Sequence, residues 1–374
     1  MSLVLKSNKV ATNSLGNING IKGEQDWSLF LDFENGQYIK KLNNVKSELQ
    51  EAEVLTCNSN KSLASRPMTM DRFGNTSVIT AVNQLRWWQA QERYGLLIED
   101  SQTNYFLKSS TPATQTISNI PASSLMVASC IGSGSLIVSG AGITTTTVIE
   151  GKPFAIPPVG SIRSINIEVV GSLTHAQVIR TAGFATLHTP ISSSSAIRAS
   201  GGDIVELNSA LVSEIIDPAK PVTIVYQTLP LVEMLDPRPT YNEARLILET
   251  NDFICAVGLT KTGTNLSNRL VSSYKSDSSY QSTGSGTAQD LNSLEDSKTQ
   301  AVQLLPNGAM MSMNGGSLYK PNNAIGLNKI TKISLARGVV SPIHQGGNCI
   351  FTKLAIYNRL LSDSEIQQIS KSWL

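Results

Sequence analysis

Apolar and polar residues alternate along this chain in short bursts separated by turn residues, and the last twenty-four positions show the pattern best. Phe351, Leu354, Ile356 and Leu360 mark a strand with one face buried and one wet. Ser362 then opens a short helix. Glu365 stands three positions later to complete a capping box, and Leu361 and Ile366 make the hydrophobic staple around it. Upstream, the same reading predicts strands at 203–207, 222–229, 244–250, 253–260, 269–274, 299–305, 309–313, 330–336 and 350–357. Pro306-Asn-Gly308 and Asn314-Gly315-Gly316 supply tight turns between them. Residues 275–298 carry little apolar content and read as a long exposed loop.

The first half is less regular. Trp27–Phe33 reads as a strand ending in the turn residues Glu34-Asn35-Gly36. Residues 44–55 read as a brief helix, or as a helix that yields to a strand from Val54. A turn at Asp71–Asn75 joins two β-prone stretches, 63–70 and 76–82, and Gly95–Asp100 reads as a further strand. From about 109 to 200 the composition shifts to Ser, Thr, Gly and Pro. Strands of period two at 135–139, 144–149 and 162–169 are punctuated by glycines, the pattern of a small antiparallel sandwich.

At 374 residues the chain exceeds what one sandwich core holds. Charged residues are 16% of the chain and the net charge is +2, with no basic block, so nucleic acid is not an expected partner. No apolar run approaches the roughly 20 residues that span a bilayer, and Met1–Lys9 lacks the form of a secretory signal. The expectation is synthesis in a cytoplasm without membrane insertion. Cys57, Cys130, Cys255 and Cys349 are widely spaced and sit among apolar neighbours, which reads as small buried thiols rather than a zinc site or disulfides. Heptads, collagen triplets and β-helix repeats do not occur, so no fibre shaft is expected.

Several separated segments resemble one group. Asp32-Phe-Glu-Asn-Gly-Gln-Tyr38, Gly95-Leu-Leu-Ile-Glu99 running into Thr103-Asn104, and Ile197-Arg-Ala199 leading to Asp203 are similar to segments of phage virion proteins of the tail-fibre and minor structural type. The ending Tyr357–Glu365 resembles the closing strand and helix of concanavalin-like (laminin-G-like) β-sandwiches. The resemblance implies an all-β chain of tandem antiparallel β-sandwiches in three units. Residues 1–108 form an attachment and oligomerisation region, 109–202 a small sandwich, and 203–374 a concanavalin-like jelly roll with its terminal helix. It further implies a non-enzymatic component of the phage particle surface, in contact with other virion proteins and assembled as a homo-oligomer, a trimer being the favoured symmetry. Two roles stay open: a tail-fibre or tip adhesin holding a host surface polysaccharide, and a decoration protein that reinforces head or tail without a host ligand. A polysaccharide hydrolase is the third alternative.

Little in the sequence points to catalysis. Glycoside hydrolysis needs two carboxylates about 5 to 10 Å apart, and no Glu-x-Asp-x-x-Glu run occurs. His175, His188 and His344 are scattered and read as surface or turn residues. No cofactor is expected. Calcium held by Asp277, Asp290 and Asp296 is the one metal reading, against a hydrated loop without metal. Sugar recognition pairs an aromatic platform with planar polar groups. The candidates for it are Tyr241, Tyr274, Tyr280 and Tyr319 with Asn265, Asn268 and Asn314, the alternative being packing or subunit contact. Trp87 and Trp88 are neighbours in a strand and face opposite ways, which predicts one core residue and one interface or ligand contact.

Overall fold

The computed structural model describes residues 26–58, 67–90, 92–181, 189–194, 197–200, 202–230, 240–251, 253–262, 265–274, 285–291, 298–305, 308–318, 329–335, 345–346 and 348–373. Alternating apolar positions become antiparallel ladders almost throughout. The chain opens with β1 (Leu29–Asp32), β2 (Gln37–Leu42), β3 (Val45–Glu48), the helical turn α1 (Glu51–Val54) and β4 (Leu55–Cys57). A hairpin of β5 (Met68–Met70) and β6 (Thr76–Val78) leads to β7 (Trp87–Ala90) and β8 (Arg93–Ile98). Next come β9 (Gln102–Asn104), β10 (Gln115–Ile120), β11 (Met126–Ile131), β12 (Ser135–Gly140), β13 (Ile143–Ile149), β14 (Phe154–Ile156), β15 (Arg163–Val170), β16 (His175–Thr181) and β17 (Arg198–Ser200). The rest comprises β18 (Val205–Leu207), α2 (Ser209–Ile215), β19 (Val222–Pro230), β20 (Thr240–Glu249), β21 (Phe253–Thr262), β22 (Asn265–Tyr274), β23 (Ser285–Leu291), β24 (Lys298–Leu305), β25 (Gly308–Met313), β26 (Lys332–Leu335), β27 (Gln345–Gly346), β28 (Cys349–Tyr357) and α3 (Asp363–Ser372).

The fold is all-β, made of two antiparallel sandwiches. In the larger, one sheet runs β25-β24-β19-β28-β1-β2-β3, with β8 on β28 and β7 on β8. The facing sheet runs β23-β22-β21-β20-β26-β18-β4, with β27 on β20. Leu31, Phe33, Leu96, Ile224, Leu246, Val257, Val302, Ile333, Phe351 and Leu354 fill the space between them. The smaller sandwich packs β10-β15-β12-β13 against β14-β11-β16-β9-β17, around Phe106, Met126, Ala128, Leu136, Val138, Ile165, Ile167 and Val178. Among the described residues no helix is long and apolar enough to cross a membrane.

The strand pairing differs from the expected division at 108/109 and 202/203. β1, from the segment read as a separate attachment region, pairs with β28, Leu31 opposite Leu354. β8 also pairs with β28, and β4 with β18. Residues before 101 and after 203 therefore share one core, and the smaller sandwich is an insertion within it. A strand's ladder partner is set by tertiary packing, and nothing local to β1 names a partner more than 300 positions away.

The chain terminus forms as its caps dictate. Ser362 is the N-cap of α3, and the reciprocal bonds of the capping box are present, Glu365 Oε2 accepting from the Ser362 amide at 2.7 Å. Leu361 and Ile366 lie in one buried cluster with Ile369, Trp373, Trp27, Phe30, Ala355 and Tyr357. This corrects the expected wet face of the last strand. β28 is buried on both faces, because α3 lies over the outer side of its sheet, and Leu360 falls beyond the strand. Two further corrections are local. The expected loop 275–298 contains β23, paired with β22 from Val271–Ser285 to Leu266–Leu291. Residues 44–55 divide into β3, the single turn α1 and the start of β4.

Candidate functional site

The two sandwiches meet where the chain enters and leaves the insertion. β9 and β17 pair with each other there, Gln102 opposite Ser200. Just before β9 and just after β17 stand Glu99 and Asp203, both facing Arg86. All three side chains are at most 2% exposed. Arg86 Nη2 lies 2.6 Å from Glu99 Oε2 and also bonds Asp203, while Arg86 Nη1 donates to Thr189 Oγ1 at 3.2 Å. Glu99 accepts from the Thr189 amide at 2.6 Å and its hydroxyl at 2.7 Å, and the Glu99 amide donates to Asp203 Oδ2 at 2.9 Å. Burial alone would lower the Arg86 pKa, but Asp203 and Glu99 raise it, so the guanidinium stays charged. Two of the segments behind the virion-protein resemblance, Gly95–Glu99 and Ile197–Asp203, thus converge on one buried ion cluster.

Thr189 is also the floor of a cleft of about 520 Å³ between the sandwiches, within the usual range for small-ligand sites. The separate β5–β6 hairpin supplies Met68 and Thr76, and the larger sandwich supplies Trp88 of β7. From the insertion come Ser129, Cys130 and Ile131 of β11, Glu150 and Pro153 after β13, and His175 and Gln177 of β16, with Pro190 beside Thr189. Period two explains this wall: Met126, Ala128, Ala176 and Val178 point into the small core, so Ser129, Ile131, His175 and Gln177 point out. Ser129 lies opposite Gln177, and Ile131 opposite His175.

The polar groups of the cleft are held in place. Gln177 Oε1 accepts from the Ile191 amide at 3.1 Å and lies 3.4 Å from His175 Nε2. Burial pushes the His175 pKa down and so favours neutral imidazole, with the bond to Gln177 opposing the shift. Glu150 Oε2 accepts from the Gly132 amide at 3.1 Å. Burial raises the Cys130 pKa, with Glu150 adding to it, so that thiol stays protonated. Such a wall offers shape, apolar contact and a few neutral hydrogen-bonding groups.

The tryptophan pair divides as its strand geometry requires. Trp87 stacks on Tyr94 with ring centroids 5.6 Å apart and packs on the large core, whereas Trp88, on the other face, packs on Leu97, Leu229 and Ile350 and also lines the cleft. His175 corrects the surface reading, being 8% exposed in β16. His188 and His344 lie outside the described residues.

The sugar-contact candidates lie elsewhere. Tyr241 is opposite Lys261 and Asn265 opposite Thr262, which puts both at one end of the β20–β22 ladder. Asn268 pairs with Leu259 and Ala288, and Tyr274, opposite Phe253, is at the other end. Asn314 holds a turn: its amide donates to the Thr299 carbonyl at 2.7 Å and its Oδ1 accepts from the Thr299 amide at 3.0 Å. Tyr280 and Tyr319 lie outside the described residues, as do Asp277 and Asp296 of the calcium reading, while Asp290 sits in β23 opposite Ser267. Among the described residues no three His, Cys, Asp or Glu side chains group as metal ligands. None of the four cysteines is in a disulfide; Cys57 is half-buried and the others are buried.

No protein-family model matches the chain, and no curated protein matches it in sequence. Among solved structures, the CBM40 of a Ruminococcus gnavus IT-sialidase bound to α2,3-sialyllactose is similar at 13% identity, over 41% of this chain and 83% of that one, with a TM-score of 0.25. A heptameric SAP-like pentraxin from Limulus polyphemus is similar at 13% identity over 41% and 70%, with a TM-score of 0.27. A Trypanosoma rangeli sialidase in complex with sialic acid is similar at 9% identity over 90% and 66%, with a TM-score of 0.28. Overlap this partial assigns neither a ligand nor a reaction to the chain.

Proposed function

We propose that this chain is a non-enzymatic glycan-binding protein, and that the cleft between its sandwiches is the binding site. One observation carries the reading: Trp88 of the larger sandwich and His175 and Gln177 of the insertion line the same cavity. An indole offers a face for the apolar side of a pyranose, and an amide and a neutral imidazole match its hydroxyls. Glu150 is the one carboxylate among the described lining residues. Glycosidases use two, so the lining favours binding over hydrolysis.

The segments similar to phage tail-fibre and minor structural proteins extend the proposal to a virion surface and a host polysaccharide. A single small site of this kind gains from repetition, and linked copies in a trimer raise avidity by about 10²–10⁴. A glycan array probed with the whole protein tests the reading, with Trp88→Ala as control. Expected is binding to a set of bacterial surface glycans that the variant loses. Absence of binding to every glycan, or equal binding by the variant, overturns it.

A further inference from the structure

We propose that the cleft selects an uncharged glycan end carrying a methyl-terminated substituent, an N-acetyl group or the methyl of a 6-deoxy sugar, over acidic sugars and plain hexoses. The inference rests on the glycan-binding reading and adds the class of sugar. Its first support is the apolar share of the wall. Met68, Trp88, Ile131, Ile149, Pro153 and Pro190 all face the cavity. Ile131 and Ile149 remain 38% and 42% exposed, so apolar side chains line the way in as well as the interior. A hexose with hydroxyls on every side would lose water there without gaining partners. A methyl group meets that wall without such a loss and leaves the ring hydroxyls to Ser129, His175 and Gln177.

The second support is charge. Among the described lining residues there is no Lys or Arg, and the one acidic side chain is Glu150. Arg86 reaches Thr189 from behind the floor, but Glu99 and Asp203 both bond it. A sugar carboxylate or sulfate would meet the carboxylate of Glu150 and, among the described lining residues, no guanidinium to fork onto.

Calorimetric titration of the whole protein decides the matter, with oligosaccharides ending in N-acetylhexosamine, 6-deoxyhexose, plain hexose, and uronic or sialic acid. Expected is roughly five- to tenfold tighter binding of the N-acetyl or 6-deoxy ends than of the matching hexose, and no binding of the acidic ends. Glu150→Lys, a change at an exposed position, is expected to admit acidic ends. Equal affinity for plain hexoses, or preference for acidic ends by the unaltered protein, overturns the selectivity and leaves the glycan reading standing. Binding of none of the sugars overturns both.

Discussion

Glu99 and Asp203, 104 positions apart, share the guanidinium of Arg86 and close the neck of the inserted sandwich. The same guanidinium and Glu99 fix Thr189, so the cluster that joins the sandwiches also shapes the floor of the cleft. Removing one partner of a buried ion pair leaves the other charge stranded.

Arg86→Met is therefore expected to destabilise the protein by about 3–5 kcal/mol. Arg86→Lys, which keeps the charge but loses the fork, should fall between it and the unaltered protein. Urea unfolding gives the order, and hydrogen exchange should show β9 and β17 opening first in Arg86→Met. Unchanged exchange there would remove the neck from the cluster's role.

Gly95 lies where β8 meets β28. A Cβ at this position would come 2.3 Å from the Phe351 carbonyl oxygen and 2.6 Å from Ile350 Cγ2. The backbone cannot yield as a side-chain tip can. Gly95→Ala is expected to cost about 1–3 kcal/mol through overpacking, read as a lower midpoint in thermal melting.

The neighbouring tryptophans should separate stability from binding. Trp87→Ala removes the stack on Tyr94 and a contact with Phe33, at about 2–3 kcal/mol for a half-buried ring, with affinity unchanged in folded protein. Trp88→Ala should lose glycan affinity at least tenfold, with a fall in stability of similar size because the ring also packs on Leu97, Leu229 and Ile350. Parallel melting and titration of both variants check the contrast.

Acid should loosen the terminal helix. Bonds from Arg359 hold the Glu365 carboxyl at about 2, against an ordinary 4.5, with burial opposing and the Ser362 amide assisting. A depressed carboxylate contributes stability that is fully present above its unfolded pKa and lost as the folded group takes up its proton. The contribution of Glu365 should thus fade between pH 4.5 and 2. Glu365→Gln should flatten that part of the stability profile, followed by fluorescence of Trp373, which α3 presses against Phe30.

How much of this was legible depended on how local each cause is. Ser362, Glu365, Leu361 and Ile366 lie within five positions, and cap, box and staple formed as read. The strands from 222 to 357, β23 and β27 excepted, were readable because their apolar runs are local. α2 went unread although Asn208 caps it, accepting from the Ala210 amide, and Leu211, Val212 and Ile215 carry its buried face. Its seven residues are too short for a clear helical period. The pairing of β1 with β28 and the meeting of Trp88 with His175 and Gln177 have no local cause. The opposed faces of Trp87 and Trp88 were the one sequence signal that pointed toward the cleft.

Ser28 bonds the Ile356 carbonyl across 328 positions, and β1 has its ladder partner in β28. At ~5–20 residues per second on a ribosome, that partner emerges roughly a quarter of a minute to a minute after β1 does. The inserted sandwich has its whole core in hand long before then. It is therefore expected to fold first, while the greasy edge of β1 waits in the open, and nascent chains in that interval are the natural clients of a chaperone.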